Sequence, residues 1–201
     1  MKLYDGGKAP NPRRTRVFLA EKGITVPTEQ VDIMAQEHKT ADFTAKNPLQ
    51  RVPVLDDGTC ISESIAICRY FEALRPEPPL FGQGALEAAM VEMWNRRAEL
   101  NFLFIVAHAF RHLHPVMKDL EVPQIPEWGE ANKPRAVDFL RIVDRELADR
   151  EFIAGDRYTV ADITTMVGYD FLKVAKIAVP DELQNVRRWH AAVSARPSAR
   201  A

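Results

Sequence analysis

The stretch Arg51-Val-Pro-Val-Leu-Asp-Asp-Gly-Thr-Cys-Ile-Ser-Glu-Ser64 carries two groups that could grip a zwitterion. Pro53 cannot donate to a strand ladder. The neighbouring Val52 backbone is then either open to an extended peptide or part of a blocked sheet margin. Glu63-Ser64 comes just before the apolar run Ile65-Ala66-Ile67-Cys68, where a helix starts. The first turn of a helix presents unpaired N–H groups and partial positive charge, and so attracts carboxylates. A Ser64 hydroxyl adds a donor for such an anion, and a Glu63 carboxylate suits an ammonium. One carbon carrying both groups is an α-amino acid. The local inference is a peptide-like ligand held by main chain at Val52 and by its amino-acid end at Glu63-Ser64. A capped helix with no ligand is the plainer alternative.

Other reactive residue types form weaker patterns. His108 and His112 share a helix face and His114 follows, but no acidic or cysteine partner completes a metal set, so no metal is expected. Gly6-Gly7-Lys8 lacks the spacing and the hydroxyl residue of a phosphate loop. The two cysteines, Cys60 and Cys68, make no CxxC pair and are expected to pack, which suits a reducing cytoplasm. A net charge of -1 gives no electrostatic case for nucleic acid or an anionic membrane. No apolar segment reaches the ~18 residues of a membrane span, and the N-terminus has no signal-peptide core.

These residues need elements to position them. Lys2-Leu3-Tyr4 reads as a strand, with Tyr4 a packing residue. Asn11-Pro12 reads as a helix N-cap followed by proline at the first helical position, and Gly23 ends that helix. A second strand is expected over 28–33 and an irregular helix over 41–46. Val52–Leu55 and 59–61 form a hairpin across Asp56-Asp57-Gly58, and Ser62 caps a helix to about Leu74. Arg75-Pro-Glu-Pro-Pro79 reads as an extended linker. Beyond it the apolar spacing is helical throughout, with Thr159-Val160-Ala161-Asp162 as a capping-box start. The division is a small mixed sheet with helices over residues 1–79 and an all-helical region over 84–201.

The combination Asn47-Pro48, Arg51-Val52-Pro53-Val54-Leu55 and Ser62-Glu63-Ser64-Ile65-Ala66-Ile67 resembles the cytosolic glutathione transferase family. The resemblance extends to Arg14-Thr15-Arg16-Val17-x-Leu19-Ala20-x-Lys22-Gly23, to Phe152-Ile153-Ala154-Gly155 and to Thr159–Ile163, and it is nearest to bacterial theta- and nu-like members. It implies a thioredoxin-like α/β N-terminal domain, an all-α C-terminal domain and a homodimer. It also implies that glutathione is the co-substrate, with no metal or prosthetic group. Val52, before a cis Pro53, would pair with the cysteinyl part of glutathione, and Glu63 and Ser64 would hold the γ-glutamyl end. His38 and Arg51 are similarly placed for the glycyl carboxylate, although His38 also reads as a solvated loop residue.

Family members stabilise the thiolate with a Tyr, Ser or Cys near the end of the first strand, and this chain has none there. Asn11 occupies a slot resembling the beta-class cysteine, and Pro10-Asn11 resembles the pair of nu-like members. Its amide could donate to the thiolate, or it could serve as a helix cap. Ala9 stands where a nu-like hydroxyl is expected. The resemblance therefore implies conjugation of glutathione to a small electrophile. Glutathione-linked disulfide or peroxide reduction and non-catalytic binding are the alternatives. Asn101, Phe104 and His108, at helical spacing, are expected to line a second-substrate pocket between the domains.

Overall fold

The computed structural model describes residues 1–201, which divide into two compact units: Met1–Leu80 with Pro197–Ala201, and Phe81–Arg196. In the first, β1 (Lys2–Asp5) leads to α1 (Pro10–Glu21), β2 (Thr28–Gln30) and a 3-10 turn at Glu37–Lys39. There follow α2 (Ala41–Lys46), β3 (Val54–Asp56), β4 (Cys60–Ser62) and α3 (Ser64–Leu74). The sheet order is β2-β1-β3-β4, with β1 and β2 parallel and the other pairs antiparallel. Alternation sends Tyr4 and Val54 to the face covered by Phe43 of α2, and Leu3 and Leu55 to the opposite face. Tyr4 meets Phe43 edge-on at 6.3 Å between ring centres.

Several boundaries differ from the sequence reading, each for a local reason. The first helix begins at Pro10, not Pro12. Ala9 is its N-cap and makes no side-chain cap bond, so Asn11 lies inside the first turn. Pro10 has the fixed φ that a first helical residue needs and no N–H to lose there. Its other end follows expectation: Gly23 adopts φ +62, Ile24 N bonds Leu19 O at 2.9 Å and Gly23 N bonds Ala20 O at 3.1 Å, which is a Schellman closure.

Ser62 ends β4 rather than capping α3; the residue before α3 is Glu63, at φ 70 and ψ 116. β2 is shorter than expected, stopping at Gln30. β3 is an interior strand, not the sheet edge that Pro53 suggested, because Pro53 sits just ahead of its first residue, where a missing donor costs nothing. The proline-rich segment after α3 is tied down. The Lys22 ammonium, 3% exposed as a residue, bonds the carbonyls of Arg75 (2.9 Å), Pro76 (3.0 Å) and Pro78, and pairs with Glu72.

The second unit is helical: α4 (Gly84–Ala98), a π-turn at Glu99–Leu103, α5 (Phe104–Leu113), α6 (Pro126–Glu146), α7 (Val160–Leu172) and α8 (Gln184–Ser194). Every residue of α7 from Val160 to Gly168 is buried, the polar Asp162, Thr164 and Thr165 included. The capping box at Thr159 and Asp162 forms as the sequence indicates. No helix is long and apolar enough to cross a membrane.

Candidate active site

The strand register brings the expected ligand contacts of the first unit to one end of its sheet. Tyr4 pairs with Val54 and Val54 with Ser62. Two residues further along these ladders, Gly6 and Val52 fall level with Ser64. The closeness is physical: a Cβ on Gly6 would lie 2.4 Å from Val52 Cγ2. The first turns of α1 and α3 meet at the same end, joined by hydrogen bonds from Arg14 to Ser64.

Val52 precedes a cis peptide bond to Pro53, and neither its N–H nor its C=O bonds another backbone group. A half-buried residue with both main-chain groups open, beside a helix N-terminus, can take one strand-like residue of a peptide. Asn47 shapes the approach to it. This buried side chain donates from Nδ2 to Arg51 O at 2.8 Å and accepts from Leu49 N at 3.1 Å, folding the loop that delivers Val52.

At the tip of α3, Ser64 is 2% exposed while Glu63 projects into solvent. The positive φ of Glu63 is a conformation L residues seldom adopt, and such backbone concentrates at ligand sites. Ser64 Oγ receives Arg14 Nε at 3.1 Å and Nη2 at 2.6 Å. The same Nη2 reaches Asn11 Oδ1 at 3.3 Å. Asn11 is therefore not a cap: its carbonyl oxygen faces Arg14, and its Nδ2 is given to no group of the chain. His38 is buried in its 3-10 turn at 5% exposure, not a solvated loop residue, whereas Arg51 is exposed.

The sequence reading missed Arg14, Asn47 and Gly6 as site-forming residues. Arg14 was hidden in the Arg13-Arg14-Thr15-Arg16 run. A helical projection signals it, because Arg14 lies on the same side as the buried residues Val17 and Phe18.

In the helical unit, Asn101 lies within the π-turn, and Phe104 and His108 lie in α5, which follows it. Asn101 lines a cavity of about 540 Å³ with Trp94, Arg97, Ile105, Arg135 and Phe139, among others. Phe104 and His108 are not part of that lining; Phe104 is exposed and His108 half-buried. His108 stacks on His112 at 6.1 Å and meets Trp128 edge-on at 6.2 Å. Burial, with His112 and Arg111 beside it, pushes the His108 pKa down. His112 Nδ1 accepts from Ile125 N at 3.1 Å, which places its ring proton on Nε2. Cys68 is buried and its thiol pKa is raised to about 12 by desolvation, so it is inert.

Known proteins share the sequence and fold of this chain. The family model described as glutathione S-transferase, N-terminal domain, matches residues 1–73, and the corresponding C-terminal domain model matches residues 94–197. Glutathione S-transferase 2 of Saccharomyces cerevisiae is 38% identical over 203 residues, spanning 98% of this chain and 87% of that protein. A crystal structure of a glutathione S-transferase domain-containing protein of Marinobacter aquaeolei superposes with a TM-score of 0.95 at 44% identity, covering 98% of this chain and 99% of that one. The structure of Gtt2 from Saccharomyces cerevisiae gives a TM-score of 0.94 at 38% identity over 100% of this chain and 99% of that chain. With both domain models matched and a full-length relative at this identity, the chain belongs to the glutathione S-transferase family.

Proposed function

We propose that this glutathione transferase holds glutathione along Val52, Pro53, Glu63 and Ser64 and conjugates its sulfur to a small electrophile. The observation that carries the reading is the open main chain of Val52 beside the N-terminus of α3, where Ser64 waits. Val52 pairs with the cysteinyl residue. Ser64 and the α3 N–H groups take the γ-glutamyl carboxylate, and Glu63 takes its ammonium. Arg51 and His38 serve the glycyl carboxylate. Residues 1–79 form the glutathione-binding domain in this proposal and 84–201 the helical domain.

The catalytic residue is Asn11. Its Nδ2 donates to the sulfur, the N-terminus of α1 adds a favourable field, and the bound thiol loses its proton to solvent more readily than the free thiol does. The thiolate then attacks the electrophilic carbon, forming the S–C bond as the leaving group departs with its electron pair. Phe104 and His108, with Asn101 nearby on the helix, offer aromatic and polar contacts to that second substrate. Glutathione is the co-substrate, and no metal or prosthetic group enters these steps.

An amide in place of a hydroxyl or thiol is the observation that favours a second reading, glutathione-linked disulfide or peroxide reduction, or binding without turnover. Within the family, Pro10-Asn11 supports a bacterial theta- or nu-like placement. The rim of the helical-unit cavity carries Arg97 and Arg135 beside Asp138 and Glu146, a mixed-charge surface suited to a two-fold copy, so a cytoplasmic homodimer is part of the proposal.

Titration calorimetry with glutathione, paired with aryl-halide and mixed-disulfide turnover assays, tests the reading. Saturable binding and aryl-halide conjugation are expected. Asn11→Ala should raise the pKa of the bound thiol by about one unit. A folded protein that ignores glutathione overturns the proposal, and disulfide turnover without conjugation transfers it to the reductase reading.

A further inference from the structure

Arg14 is 1% exposed and lies between two residues that the proposed function uses, although it is assigned no part in it. It bonds Ser64 Oγ twice, through Nε at 3.1 Å and Nη2 at 2.6 Å, and Asn11 Oδ1 once, through Nη2 at 3.3 Å. A guanidinium only donates, so each of these bonds consumes acceptor capacity on its partner. A serine hydroxyl has two lone pairs and one hydrogen. With both lone pairs turned to Arg14, the hydrogen is left to donate. A side-chain amide has one acceptor oxygen and one donor NH2. With the oxygen turned to Arg14, the NH2 end points away from it. No group of the chain takes either remaining donor.

We propose that Arg14 is the positioning residue of this site, the buried fork that sets both Ser64 and Asn11 as hydrogen-bond donors toward an anionic ligand. Ser64 is thereby committed to a carboxylate, and Asn11 presents its NH2 to a thiolate instead of its carbonyl oxygen, which would repel one. The fork also links α1 to α3, so the sulfur-side and carboxylate-side donors are held as a unit across 50 residues of sequence separation in the Arg14–Ser64 bond. A lysine cannot replace it, because a point ammonium lacks the planar geometry that reaches both partners. The inference rests on the roles given above to Asn11 and Ser64.

The test is a mutant cycle on the full-length protein among Arg14→Met, Arg14→Lys, Asn11→Ala and Ser64→Ala, alone and combined. Glutathione affinity is read by calorimetry, the pKa of the bound thiol by thiolate ultraviolet absorbance, and folding by circular dichroism. Arg14→Met is expected to weaken glutathione about tenfold and raise the bound-thiol pKa by about one unit. Adding Asn11→Ala to it should move that pKa less than half as far as it does in the wild-type background. Where Arg14→Met fails to fold, Arg14→Lys keeps the buried charge and carries the same cycle. Its thiol pKa should rise although the protein folds, an effect that a purely structural arginine would not produce. If Asn11→Ala and Ser64→Ala shift affinity or thiol pKa while a folded Arg14 variant leaves the thiol pKa unchanged, or if the paired effects simply add, this inference falls alone. If Asn11→Ala and Ser64→Ala are themselves silent, the reading of the site falls and takes the inference with it.

Discussion

Asp162 in the helical unit and Arg14 in the N-terminal unit are both buried charges, 0% and 1% exposed, and their neighbours are satisfied to different degrees. The Asp162 carboxylate accepts from Ile153 N, Thr159 N and Trp189 Nε1, each at 2.9 Å, and from Thr159 Oγ1 at 3.1 Å. Each of these donors has only the carboxylate to serve, so the network is closed on the chain itself. Among the partners of Arg14, Ser64 and Asn11 each keep a donor hydrogen unclaimed. A closed network around a buried charge locks one packing arrangement. An open one stores unmet hydrogen bonds at the surface for a ligand to complete. Satisfaction of the neighbours, more than the buried charge itself, distinguishes the two regions.

The largest expected effect comes from opening the closed network. Asp162→Ala orphans donors at the start of α7, on α8 and in the 152–155 turn, and should cost about 3–5 kcal/mol in chemical denaturation. Its pH dependence has a definite sign. Desolvation raises the Asp162 pKa from 3.8 to about 6 in the folded chain, and its four donors offset part of that rise. The folded state therefore prefers the protonated form, and this contribution is fully present below about pH 4 and is lost as pH rises through about 6. The stability gap between wild type and Asp162→Asn should accordingly widen as pH falls from about 7 to about 4. A gap that stays constant across that window would show that Asp162 titrates alike in the folded and unfolded chains. Glutathione affinity of the folded fraction should not change in either variant, which sets this region apart from the other unit.

Legibility from sequence divides along the same line. The closed network could be read because its parts are local: Thr159 and Asp162 are three residues apart, and a capping box is a short-range pattern. The Val52-Pro53 and Glu63-Ser64 pairs were legible for the same reason, each being a local statement about missing or exposed main-chain groups. Arg14 was not, since its meaning depends on Ser64, which is distant in sequence and close only after α1 and α3 pack. The start of α1 was misread because Pro10 and Pro12 both satisfy the rule for a first helical residue, and the rule cannot choose between them. The π-turn at Glu99–Leu103 left no mark on apolar spacing, so the sequence did not show that Asn101 lies in a wider turn than Phe104 and His108 do.

A smaller effect, on the open side, is expected at Gly6. A methyl there would sit 2.4 Å from Val52 Cγ2, 3.0 Å from Ile33 Cδ1 and 3.3 Å from Pro12 Cγ. These are side-chain atoms that can yield, so Gly6→Ala should fold with a loss of about 1–2 kcal/mol. Moving Val52 displaces the main chain proposed to pair with glutathione, so affinity should drop in the folded protein, the reverse of the Asp162 pattern. Calorimetry at a temperature well below the midpoint separates the two, and unaltered affinity would remove Val52 from the contact.

The smallest and most discriminating effect belongs to Glu63, whose φ of 70 and ψ of 116 carry a conformational cost of order 1 kcal/mol. Glycine accepts that backbone and alanine does not, while both delete the carboxylate. Glu63→Gly should therefore be about 1 kcal/mol more stable than Glu63→Ala, with the two equally impaired in binding glutathione. Equal stability would mean that the turn relaxes once the carboxylate is gone. Wild-type affinity in both variants would mean that the ammonium is held elsewhere. At Asp162 stability should fall while affinity holds; at Glu63 both variants should lose affinity whatever their stability, the pattern expected where a strained backbone presents a side chain to a ligand.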